Sequence, residues 1–169
     1  PLAKIFSPVT YKNMKFLILD CPTDSTLPTY LEELKARNVT DVVRLCEPTY
    51  SRERLEEEGI KVHDTPFTDG GVPPAKVLAE FLALCDERFG GIGVGGKEEE
   101  EKKSKTIAIH CVAGLGRAPV LVGVALIEAG MEPLDAVSFI RQRRRGAFNS
   151  VQLSYLVDTY KRQWKKSSS

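Results

Sequence analysis

The sequence predicts an α/β fold in three layers, a central, mainly parallel twisted sheet flanked by helices. Short β-rich runs alternate along the chain with segments whose apolar residues recur at helical spacing. In addition, the apolar run Thr106-Ile107-Ala108-Ile109 passes through a glycine-containing loop into the apolar run Val120 to Ile127. Such folds place ligands at the carboxyl ends of their parallel strands, so that loop is the expected site.

The elements follow in order. Phe16 to Leu19 and Asp41 to Leu45 are strands, and Leu27, Leu31 and Leu34 between them mark a helix, giving a β-α-β start. Glu53 to Glu58 forms a short charged helix closed by Gly59, followed by a strand at Ile60-Lys61-Val62. Pro74 opens a helix through Phe89 that buries Val77, Leu78, Phe81, Leu82 and Leu84. Two more helices are predicted, from Pro133 to about Arg144 and from an Asn149-Ser150 cap to about Trp164. The stretch from about 90 to 105 combines glycines with the charge cluster Lys97 to Lys103, so a flexible loop is expected there, either a tolerated insertion or an interaction loop.

At 169 residues, 42% hydrophobic and 28% charged, the chain 1–169 is expected to be a single domain. No apolar run approaches the roughly 18 residues of a membrane span. The net charge of +1 hides an uneven distribution, because Arg141 to Ser169 holds eight Lys or Arg and one acid, Asp158. That basic end, including the tail from about 161 to 169, suits anionic lipid, an acidic partner or simple solvation. The four cysteines, Cys21, Cys46, Cys85 and Cys111, are too far apart for a zinc pattern and follow no secretory signal, which points to a reducing compartment. No cofactor, metal or nucleic acid is expected.

The chemistry concentrates in His110-Cys111-Val112-Ala113-Gly114-Leu115-Gly116-Arg117-Ala118-Pro119. Cysteine, five residues, then arginine allows one loop of amides to surround a phosphate while a thiolate attacks phosphorus and a guanidinium grips two oxygens. A helix N-terminus favours both the anionic substrate and the thiolate form of a cysteine. Gly114 and Gly116 let the backbone curl around the anion. The competing explanation is a buried structural cysteine beside a glycine turn. A leaving oxygen also needs an acid, and Asp69, in the Gly/Pro-rich stretch Asp64 to Pro74, is the candidate for a loop that swings over the pocket. Asp69 could instead simply favour a turn before Gly70, and Asp64, nearer the strand, could anchor the loop.

Over nearly its whole length the chain resembles the phosphatases of regenerating liver, the prenylated type IVA branch of the dual-specificity, cysteine-based protein tyrosine phosphatases. The resemblance is carried by Tyr11 to Leu19, Val42 to Tyr50, Pro66 to Gly70, His110 to Leu121 and Phe139 to Ser150. It implies the three-layer cysteine-phosphatase fold, with Cys111 as nucleophile, Arg117 as phosphate clamp and Asp69 as general acid. The amides of Val112, Ala113, Gly114, Leu115, Gly116 and Arg117 would complete the cradle. It further implies that Cys46 forms a reversible disulfide with Cys111, an oxidative off-switch that protects the thiolate. Ala118 stands where ordinary tyrosine phosphatases carry a hydroxyl residue, so hydrolysis of the phosphocysteine is expected to be slow.

The sequence departs from the family pattern at Thr65, which replaces a tryptophan, and at Thr68, which replaces an acid. The loop from 90 to 105 is longer than usual, and the chain ends at Ser169 after a basic run with no prenylation cysteine. As given, the chain is expected to be soluble and cytoplasmic; a prenylated full-length form would sit at the inner face of membranes, where a homo-oligomer could assemble. The expected substrate is a phosphoprotein, through phosphotyrosine or phosphoserine/threonine. The alternatives are a phosphoinositide phosphatase, or a module that binds the CNNM magnesium-transport mediators through a pseudosubstrate loop.

Overall fold

The computed structural model describes residues 5–94 and 104–163. Among these residues, five strands form one sheet: β1 (Ser7–Tyr11), β2 (Met14–Leu19), β3 (Val39–Arg44), β4 (Lys61–Asp64) and β5 (Thr106–His110), in the spatial order β1-β2-β5-β3-β4. The helices are α1 (Leu27–Ala36), α2 (Glu53–Glu57), α3 (Ala75–Phe89), α4 (Arg117–Glu128), α5 (Pro133–Arg143) and α6 (Ser150–Ser154), the last continuing as a π-turn over Tyr155–Thr159. The α/β class and mainly parallel sheet are as predicted. The β1 strand was not legible; it pairs antiparallel with β2, to which it is joined through Lys12-Asn13. Its Pro8 is tolerated because β1 lies at the sheet edge.

Alternation along the strands builds two cores. Phe16, Ile18, Ile107 and Ile109 face α3, α4 and α5, whereas Leu17, Leu19 and Ala108 face α1 and Leu55 of α2. Every residue of α4 is buried, so the helix that follows the cysteine loop is held on all sides. A fully buried leucine such as Leu121 contributes about 1.5–3 kcal/mol, and the stripe along α4 fixes the loop's exit direction.

The other predicted elements stand with small shifts. Gly59, at φ +80°, closes the turn after α2, and α3 spans Ala75 to Phe89 with Cys85 added to its buried face. The last helix is shorter than predicted. It opens with the expected Asn149 cap, but the backbone turns extended at Tyr160 instead of running to Trp164. The Tyr160 amide closes the π-turn on Tyr155 O, and its hydroxyl is taken by Glu128 at 2.9 Å, so tertiary contacts override the helical pattern. Trp164, most of the predicted flexible loop (95–103) and the end of the basic tail (164–169) lie outside the described residues.

Candidate active site

The site is built where β5, in the middle of the sheet, ends. Cys111 follows the last residue of that strand and is buried, and Arg117 opens α4. The carbonyls between them are taken by donors around the loop. Val112 O accepts from the Cys21 amide at 2.9 Å, and Leu115 O accepts from the Phe148 amide at 2.7 Å. Arg144 donates to Ala113 O at 2.8 Å and to Gly114 O at 3.0 Å. In a trans peptide the N–H points opposite the C=O, so turning four successive carbonyls outward turns the amides of Ala113, Gly114, Leu115 and Gly116 inward. The loop is therefore a ring of donors beside the Cys111 sulfur.

Glycine is required by the surroundings as well as by curvature. Gly114 sits at φ +72°, and a Cβ there would lie 2.6 Å from both the Arg144 guanidinium and Leu19 O. At Gly116 a Cβ would meet the Gln152 amide at 2.8 Å. Arg144 and Gln152 are the site residues that sequence reasoning missed. Arg144 is a buried arginine that also donates to Ile5 O and Ser7 Oγ, so one guanidinium ties the loop to the amino-terminal strand. Burial pulls its pKa down, yet four oxygens keep the cation satisfied. Of the eight basic residues after position 140, this one serves the loop's architecture and not the surface. Its only sequence signal is its place in the run Arg143-Arg144-Arg145, which reads as solvated charge.

Arg117 is buried too. Its Nη1 donates to Leu45 O and Phe67 O, both at 2.9 Å, which fixes the plane of the guanidinium. Among the described residues its buried Nε has no hydrogen-bond partner, and the nearest carboxylate oxygen, Asp69 Oδ1, is 3.7 Å away. A buried donor of this kind is suited to an anion.

Asp69 belongs to a separate, exposed loop. Its side chain is 83% exposed, and Gly70, at φ +76°, supplies the turn behind it. The loop rests on α6: Asn149 donates to Gly70 O at 3.1 Å and Gln152 to Gly71 O at 3.3 Å. Its root is firmer. Asp64, the last residue of β4, takes a bidentate pair from Arg44 at 2.5 and 2.8 Å, so it anchors as expected, and that pairing holds its carboxyl below the usual range. The structure thus brings Cys111, Arg117 and Asp69 to one end of the sheet.

Cys46 follows β3 and is buried beside two groups, Cys21 and His110, each 3.8 Å from its sulfur. All four cysteines are free thiols. The Cys46 thiol donates to the Cys21 sulfur, which lowers the Cys21 pKa and raises that of Cys46. Cys85 stands apart on α3, where complete burial pushes its thiol up. The cysteines that sequence spacing separates are therefore partly gathered by the fold.

Comparison with known proteins gives the family. Over 154 residues the chain is 51% identical to a probable protein tyrosine phosphatase type IVA A of Dictyostelium discoideum, covering 91% of this chain and 86% of that one. The chain belongs to the protein tyrosine phosphatase type IVA family. Over 148 residues it is 52% identical to the human protein tyrosine phosphatase type IVA 3, covering 88% and 80% of the two chains. Among solved structures, a protein tyrosine phosphatase from Leishmania major superposes with a TM-score of 0.78 at 40% identity, covering 93% of this chain and 99% of that one. No family model matches the sequence. Members of the family are phosphatases, and this chain carries their fold and is an enzyme of that class.

Proposed function

We propose that this phosphatase hydrolyses phosphotyrosine in proteins through a phosphocysteine on Cys111. The observation that carries the mechanism is the set of four outward carbonyls, Val112 to Leu115, which leaves an inward ring of amides at the head of α4. The Cys111 thiolate attacks phosphorus, the P–O bond to tyrosine breaks, and Asp69 gives its proton to the departing oxygen. Water then attacks the phosphocysteine, Asp69 takes back a proton, and the thiolate leaves. Arg117 and the amides hold the equatorial oxygens in both steps. Val112 and Leu115, 61% and 39% exposed, offer apolar rim surface to an aromatic ring.

The second step is the slow one. Ala118, fully buried in the first turn of α4, has no hydroxyl to stabilise the leaving thiolate. Cys46, buried with its sulfur 3.8 Å from the ring of His110, the residue before the nucleophile, is the thiol we assign to a reversible disulfide with Cys111. Inward amides beside a guanidinium whose Nε is unpartnered among the described residues also suit a carboxylate, which favours a second role as a binding site for an acidic partner loop such as that of the CNNM mediators.

Rapid-quench kinetics with an aryl phosphate test the mechanism. A burst of released phenol followed by a slower steady rate is expected; Cys111→Ser should abolish both, and Ala118→Ser should raise the steady rate several-fold. A wild-type enzyme that turns over with no burst, or a Cys111→Ser variant that stays active, overturns it.

A further inference from the structure

Beside the phosphate loop, the carboxyl ends of β2, β3 and β5 gather Cys21, Cys46 and His110, whose ligand atoms all lie within 4.8 Å of one another. We propose that these three residues form a zinc site, with Cys21 Sγ, Cys46 Sγ and His110 Nδ1 as ligands and a solvent molecule as the fourth.

The distances suit that ion. Tetrahedral Zn2+ with Zn–S near 2.3 Å and Zn–N near 2.0–2.1 Å sets its sulfurs about 3.8 Å apart and sulfur about 3.6 Å from nitrogen. Cys21 Sγ and Cys46 Sγ are 3.8 Å apart, and Cys46 Sγ is 3.8 Å from His110 Nδ1. Two of the three edges are therefore close to their bound lengths, and the third, Cys21 to His110, is no longer than 4.8 Å. The donor set, two sulfurs and an imidazole, is the kind that selects a borderline-soft divalent ion over calcium or magnesium.

The surroundings supply outer support. Tyr50 Oη stands 2.6 Å from His110 Nε2, and Arg44 donates to Tyr50 O at 2.7 Å, so the imidazole is held in a built frame. With its proton on Nε2, donated to Tyr50, the ring presents the Nδ1 lone pair to the ion. The alternative tautomer directs Nδ1–H to Cys111 O at 3.3 Å, and metal binding would select against it. Thr49 Oγ1, 2.9 Å from Cys21 Sγ, adds a polar contact on the outer side. Cys46 and His110 are buried and Cys21 is half-buried, which places the solvent ligand and the entry route on the Cys21 side. Binding leaves both sulfurs as thiolates and releases their protons to the buffer, and two thiolates neutralise the divalent charge.

A motif scan misses such a site because its ligands are 25 and 64 residues apart in sequence. Where Cys46 is the resolving thiol, as proposed above, bound zinc and the Cys46–Cys111 disulfide exclude each other, since both require the same sulfur. The zinc site itself does not rest on that role.

The test uses the full chain, reduced and metal-free. Titration with Co2+ should give a thiolate-to-cobalt charge-transfer band and tetrahedral ligand-field bands, and one equivalent of Zn2+ should bleach them. In competition with a chromogenic chelator, Cys21→Ser should lose more zinc affinity than the roughly 10–100-fold that outer-shell changes cost, whereas Tyr50→Phe should stay within that range. Cys111→Ser should bind zinc like the wild type. Circular dichroism establishes that each variant is folded; if Cys46→Ser is not, the half-exposed Cys21→Ser decides. Absence of the cobalt bands, unchanged zinc affinity in Cys21→Ser, or loss of the site in Cys111→Ser would each overturn the proposal.

Discussion

The phosphate loop and the acid loop meet at Arg117 but are built to opposite rules. Cys111 to Arg117 is fixed by hydrogen bonds to four successive carbonyls, by the buried guanidinium of Arg144 and by glycines with no room for a Cβ. The acid loop carries its carboxyl almost fully exposed and rests on α6 through two side-chain amides at 3.1 and 3.3 Å. Anion capture requires donors whose positions do not change, because reorganising them costs the barrier what they would save. Proton delivery followed by product release requires a group that can leave. In the proposed mechanism, one end of the sheet supplies both by attaching a loosely held arm to a rigid cup.

The largest effect is expected from disturbing the cup. Gly114→Ala puts a β-carbon against Leu19 O and Arg144 at positive φ, so turnover should fall roughly 10³-fold or more and vanadate binding should fail with it. A folded Gly114→Ala variant with normal vanadate affinity would break the contrast between the loops. Next comes the arm. Asp69→Ala should lower turnover about 10²-fold for a substrate with a poor leaving group, while vanadate binds within a few-fold of wild type. Equal losses in turnover and binding would mean that Asp69 is part of the cup.

Smaller effects concern the attachment. Asn149→Ala removes both a helix cap and the tether to Gly70 O, which should cost about 1 kcal/mol of stability and lower turnover several-fold with little change in vanadate affinity. Last is pH. The Arg44 pair depresses the Asp64 pKa in the folded state, so its stabilisation is complete above the unfolded carboxyl value of about 3.9 and is lost as pH falls through the folded value. On acidification below about pH 4, amide resonances from Phe67 to Gly71 should shift before those from Ala113 to Gly116, whose carbonyl supports are amides and an arginine. Simultaneous shifts would show that the two loops share one anchor.

The cup was legible in sequence because it is local: the strand, the glycines and Arg117 lie within about a dozen residues, and their order states the chemistry. Asp69 could be proposed because a phosphate-ester cradle calls for an acid beside it, and the fold sets its carboxylate 3.7 Å from Arg117 Nε. Arg144 and Gln152 could not, since their importance comes from a fold that lays a later helix and its entry turn against an earlier loop. The thiol cluster was hidden for the same reason, being assembled from three strand ends that are neighbours only in the sheet. The β1 strand escaped because Ser7 to Tyr11 is short and contains proline, while the end of α6 was missed because an apolar pattern cannot foresee a tyrosine drawn off to Glu128.

At the far end of β5 the chain is pinned just before the charged stretch 95–103. Asn13 donates to Phe89 O and Gly91 O at 2.9 and 2.8 Å, and Gly93 packs so closely on Ala129 that a Cβ would lie 2.7 Å from its Cα. On the other side, β5 begins at Thr106 and reaches Cys111 only after its full length, roughly 17 Å of extended chain at about 3.3 Å per residue. For protein engineering, Val94 and Ser104 are the natural splice points for a reporter or affinity handle, since both described ends lie at the end of β5 away from Cys111.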